Sequence, residues 1–217
     1  MLISFDKTNF PMAVVEEAGV EIHLLPITKA QFEPFVAESP LLKQAQYEEM
    51  LALNPAASAN DFEAAEREQL FVSGILPDEA RLFARWLGKG FDLPTVFEWR
   101  AVMAAFKREP TPRNRPLADA LEGTPRTIIE TFEELLHIRS MLDYSLMRGG
   151  LVEWVRQGDD FTGLGTPRPE FHPNLWDPLY NTIMPLHLNK RLSYFGFRLV
   201  RRDSHYLSDR KTATYVF

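Results

Sequence analysis

Apolar and polar positions follow two rhythms along this chain. Short apolar runs come first: Leu2-Ile3-Ser4-Phe5, Ala13-Val14-Val15 and Val20-Glu21-Ile22-His23-Leu24, broken by Pro11 and Gly19. That pattern predicts short strands and turns up to about Leu25. The spacing then becomes helical. Ala30, Phe32, Phe35 and Val36 share a face, and Thr28 with Gln31 forms a capping box, so a helix is predicted from Lys29 to about Glu38 and ends at Ser39-Pro40.

From Leu41 to about Gln69 large apolar residues thin out, and the stretch reads as a partly helical surface insertion. Leu70 to Leu76 reads as a strand and turn. Pro77-Asp78-Glu79 suits the first turn of a helix whose Ala80, Phe83, Ala84 and Leu87 fall on one face, with Gly88 at its stop. Thr95 and Glu98 form a second capping box ahead of Val96, Trp99, Met103 and Phe106, a core-facing stripe running to about Lys107. Prolines 110, 112, 116 and 125 predict a loop from Glu109 to Arg126. A third capping box, Thr131 with Glu134, predicts another helix. Leu151 to Val155 reads as a strand, residues 158–178 as irregular but packed chain, and Leu192 to Val200 as a strand containing Gly196. The tail from Arg201 is polar until Tyr215-Val216-Phe217.

Helices between strand segments, with a loop-rich second half, predict an α+β fold and not alternating βαβ units. At 217 residues the chain fits a single domain spanning 1–217. The net charge of −6 and the scattered 24 Lys and Arg argue against nucleic acid as a partner. No stretch reaches the ~20 apolar residues of a membrane span, and the N-terminus does not read as a signal segment, so a soluble, cytoplasmic protein is expected, with no membrane partner. The absence of cysteine removes disulfides, thiolate metal sites and Cys nucleophiles at once.

Several segments resemble the formylglycine-generating-enzyme, or sulfatase-modifying-factor, family. Pro26-Ile27-Thr28-Lys29-Ala30-Gln31-Phe32 with Phe35 resembles the family's P-V-T-N-A-Q-Y helix, and Ala80 to Lys89 is similar to A-x-x-Y-x-x-W-L-G-K. Leu93-Pro94-Thr95-Val96-Phe97-Glu98-Trp99 resembles L-P-T-E-A-E-W, the most characteristic of these motifs. Met147 to Val155 resembles M-x-G-N-V-W-E-W-V, and Gly196-Phe197-Arg198-Leu199-Val200 matches the closing G-F-R-L-V. The resemblance implies a C-type-lectin-like core with small antiparallel sheets, two main helices and extensive irregular loops.

It also implies copper held by two cysteines placed before the G-F-R strand. The corresponding stretch, 161–193, has no cysteine, and its one methionine, Met184, does not replace two thiolates, so formylglycine formation by that mechanism is excluded for this chain. A family calcium site uses an asparagine where this chain has Gly150, and no metal is expected there. No catalytic residue and no cofactor is therefore assigned.

Glu98 and Glu153 each precede a tryptophan and could form an acid/base pair. Capping by Glu98 and a hydrogen bond from Glu153 at the core edge account for them more simply. Trp86, Trp99 and Trp154 read as core. Among His23, His137, His172, His187 and His205 no pair has metal-site spacing.

The candidate binding residues are Asp159, Asp160, Phe171, Trp176, Asp177, Tyr180, Asn181 and Tyr194, in the region that a lectin-like fold uses for recognition. The leading reading is a non-catalytic binding or scaffold module, a pseudoenzyme engaging a protein partner or small ligand; such modules occur as subunits of bacterial multi-protein and conflict-type systems. Two alternatives stand beside it: a metal-dependent oxidoreductase using His and carboxylate ligands, and a diversified receptor of the retroelement-targeted kind, with 175–194 as its variable stretch.

Overall fold

The structure is a computed structural model describing residues 2–53, 71–108, 151–165 and 189–202. The chain opens with three antiparallel strands, β1 (Leu2–Phe5), β2 (Pro11–Val15) and β3 (Val20–His23). Asp6 makes the first turn: its Oδ1 accepts from the Thr8 amide at 2.7 Å and the Phe10 amide at 3.1 Å. A single 3-10 turn at Glu16–Ala18 makes the second, closed by Gly19 at φ 65°, a left-handed conformation that costs glycine least.

Helix α1 (Lys29–Glu38) starts at the expected capping box, with Gln31 N donating to Thr28 Oγ1 at 3.2 Å and Thr28 N to Gln31 Oε1 at 3.0 Å. Helix α2 (Gln44–Leu53) buries Tyr47 and Met50, so this part of the expected surface insertion belongs to the core; residues 54–69 lie outside the described residues. Helix α3 (Pro77–Leu87) buries Ala80, Phe83, Ala84 and Leu87, as its spacing predicts. After the two-residue strand β4 (Phe91–Asp92), helix α4 (Val96–Arg108) begins at the Thr95–Glu98 box and buries Trp99, Val102, Met103 and Phe106.

Three further expectations change. Residues 70–76 do not form a strand among the described positions: Phe71 makes an isolated bridge to Thr28, and the chain bends at Gly74, φ 70°. The segment expected to be irregular from 158 contains β6 (Asp160–Gly165), paired antiparallel with β5 (Val152–Gln157) along its whole length. Its glycines blurred the strand signal, and Gly163 is needed there. A Cβ on it would lie 2.4 Å from Val152 Cγ1 and 2.7 Å from the Phe195 ring. The closing segment is two short strands, β7 (Phe195–Gly196) and β8 (Val200–Arg201), because it crosses from one sheet to the other. Between them the Phe197 and Leu199 carbonyls accept from the Ile27 and His23 amides.

The sheets are ordered β1-β2-β3-β8-β4 and β6-β5-β7. The first is antiparallel throughout; the second is mixed, since β7 runs parallel to β5. The described helices number four, α3 and α4 being the longest. None of them is long and apolar enough to cross a membrane. Alternation along β5 serves two cores. Val155 joins the core beneath α4, whereas Val152 and Trp154 join an aromatic core with Phe32, Phe35, Phe83, Phe195 and Phe197. The loops from 109 to 126 and the helix expected near 131 lie outside the described residues.

Candidate binding surface

Two of the polar centres inside the fold hold the candidate acid Glu153 and the one described histidine, and every carboxylate oxygen in them has a partner. Glu153 projects from β5 toward α4 and is buried. Arg198 grips it with two nitrogens, Nε to Oε2 at 2.5 Å and Nη2 to Oε1 at 2.6 Å, and Trp99 Nε1 donates to Oε2 at 3.0 Å. Arg198 Nη1 donates to the Leu24 carbonyl at 3.1 Å. A carboxylate clamped in this way serves the fold. Glu153 therefore sits in the interior and not at the core edge that its sequence context suggested, with the arginine of the G-F-R strand as the partner that sequence reasoning missed.

The second centre is Asp6 with His23. His23 Nε2 meets Asp6 Oδ2 at 2.8 Å and Nδ1 meets the Leu199 carbonyl at 3.2 Å. Burial would push the Asp6 carboxyl up, but hydrogen bonding and charge from His23, with the Thr8 and Phe10 donors, outweigh it and hold the group below its ordinary value. Among the described residues no cluster of three or more His, Asp or Glu could hold a metal. His23 is committed to this pair; the other four histidines lie outside the described residues.

The rim differs. Thr95 bridges to Arg156, and the Arg156 amide donates to the Pro94 carbonyl at 2.8 Å, so the first turn of α4 lies beside the end of β5. Arg156 pairs with Asp92, and Arg202 grips Glu98 through two 2.7 Å bonds while its Nη1 lies 3.6 Å from Asp92. Burial raises the Glu98 carboxyl, but Arg202 and the Thr95 donors more than reverse this and keep it ionised. Both expected roles of Glu98 thus resolve to capping and ion pairing. Phe97, the next residue after Val96, is 72% exposed.

Asp159 and Asp160 are exposed at this same end, in the β5–β6 turn made by Gly158 at φ 65°. Tyr194 is not with them. It is half-buried, its ring 5.3 Å from Phe195, and its carbonyl accepts from the Val152 amide at the opposite end of β5. Five residue steps along β5 separate its two ends, about 17 Å. Phe171, Trp176, Asp177, Tyr180 and Asn181 lie outside the described residues. Phe97 was missed, although its position off the buried stripe of α4, where the family motif has alanine, was a readable signal. Trp99 and Trp154 are core, whereas Trp86 is half-buried with the Lys7 ammonium 3.4 Å over its ring.

A model of the sulfatase-modifying factor enzyme 1-like domain matches residues 2–160. The chain belongs to this family. The sulfatase-modifying-factor match runs from β1 into β6, and the C-type-lectin-like fold of that family is the α+β arrangement described above, with residues 189–202 completing both sheets. No curated protein matches the chain. The family's copper chemistry needs a donor set that is missing here, because a chain without cysteine offers copper(I) no thiolate.

Proposed function

We propose that this chain is a non-catalytic member of the sulfatase-modifying-factor family that binds a protein partner. The partner would engage the rim formed by the first turn of α4 and the β5–β6 turn, with Phe171, Trp176, Asp177, Tyr180 and Asn181 as further candidate contacts. The observation that carries this reading is Phe97, an aromatic side chain 72% exposed in the first turn of α4, which bridges through Thr95 to the end of β5 where Arg156 is part-exposed and Asp159 and Asp160 follow exposed. Exposed aromatics ringed by polar groups, with arginine nearby, are the usual anchors of protein interfaces. The interior acids support it from the other side, since Glu153 and Asp6 have no polar atom to spare for a substrate.

The test is co-purification from the native host with mass spectrometry of the captured proteins, repeated with Phe97→Ser and with Asp159→Lys plus Asp160→Lys. These changes are expected to leave thermal unfolding unchanged and to weaken capture of the wild-type partner at least tenfold. Unaltered capture by both variants would refute the rim assignment.

A further inference from the structure

Lys29 is the first residue of α1 and only 4% exposed. Its Nζ is the buried side-chain nitrogen that, among the described residues, has no hydrogen-bond partner. Burying an ammonium without a partner is costly. The location compounds that cost. A helix N-terminus carries partial positive charge and favours anions, yet the first turn of α1 holds no acidic residue and begins with a cation.

Lys29 is the first helical residue, so its side chain springs from the positive end of α1. Burial pushes the amine below the ordinary lysine value. The carboxylate of Glu33, one turn along, opposes this but stays exposed and accepts instead from the Tyr47 hydroxyl at 3.1 Å. Burial, the helix end and the missing partner are all relieved by one thing: a negative group seated against Nζ.

We propose that Lys29 Nζ, at the N-terminal end of α1, binds one small oxyanion, a phosphate or a carboxylate group. The site is separate from the α4 rim and independent of the partner reading. Because the amine is enclosed, the anion enters during folding or local opening, so the test refolds the full chain in the presence of the probe.

Thermal unfolding is measured in inorganic phosphate, in acetate and in chloride at matched ionic strength, for wild type, Lys29→Met and Lys29→Arg. Phosphate or acetate is expected to raise the wild-type midpoint by about 3 °C over chloride, the size of a roughly tenfold excess over Kd for a chain of this length. Lys29→Arg keeps the shift and Lys29→Met loses it. Which anion acts distinguishes a phosphate from a carboxylate ligand. Equal shifts in wild type and Lys29→Met, or no shift in wild type with either anion, overturn the proposal. If Lys29→Met does not fold, the concentration dependence of the wild-type midpoint after refolding in the probe decides: a rise with the logarithm of phosphate or acetate concentration, as single-site linkage requires, supports the site, and a rise merely linear in concentration, or none, refutes it.

Discussion

Arg198 with Glu153 and Arg156 with Asp92 are the same chemistry in two settings. The first pair is 0% and 3% exposed and is joined by an indole and two backbone carbonyls; the second is 37% and 23% exposed and stands at the end of β5. In the interior each charge depends on the other, because neither has water to fall back on. At the rim water screens both, so each charge remains solvated without the other. Burial, and not the residue types, separates the ion pair on which the fold depends from the one it can lose.

The sharpest way to break that comparison is Arg198→Met, which strands the Glu153 carboxylate and is expected to cost about 3–5 kcal/mol in urea unfolding. Adding Glu153→Leu to it should recover most of the loss. A cost below ~1 kcal/mol for the single change would place the interior pair in the same class as the rim pair. Gly163→Ala asks whether the packing around β5 is equally unyielding; the contacts at 2.4 and 2.7 Å predict a loss of about 1–3 kcal/mol by the same measurement.

Asp6 supplies a third setting, a buried carboxylate held by histidine instead of arginine. Its folded-state value is depressed, so its contribution is complete above the unfolded carboxylate value of roughly 3.9 and is lost as pH falls toward the folded one. Asp6→Asn should therefore cost about 1–3 kcal/mol at neutral pH and flatten the acid limb of a stability–pH curve. An unchanged acid limb would remove Asp6 from the account. Arg156→Ala, the smallest effect, should alter stability by no more than about 1 kcal/mol.

Local signals read well from the sequence. The capping boxes at Thr28 and Thr95, the proline start of α3 and the stripe of α4 each depend on neighbours within a turn or two, and each lies where its residues place it. What the sequence concealed is long-range. Arg198 and Glu153 are 45 positions apart, and nothing local ties them; Arg201 and Glu21 are 180 apart. Strand β6 was hidden because its glycines lower strand propensity while permitting the close approach of Val152 and Phe195. Of the expected surface residues, Asp159 and Asp160 stand at the rim and Tyr194 at the other end of β5, a separation no local pattern encodes, and Phe97 escaped because the residues around it read as core.

The position of β8 has a consequence for how the molecule is made. It lies between β3 and β4, bonded to both, so the outer edge of the β1-β2-β3 meander and the whole of β4 have no neighbour in the sheet until residues near 200 arrive. Closing a loop of that span is slow, since its entropy is lost before the new contacts repay it. Until then one edge of β3 is open to strands of other chains. A growing polypeptide of this kind is exposed to misassembly from the emergence of β3 until β8 is in place, and completion of the sheet is postponed to that point.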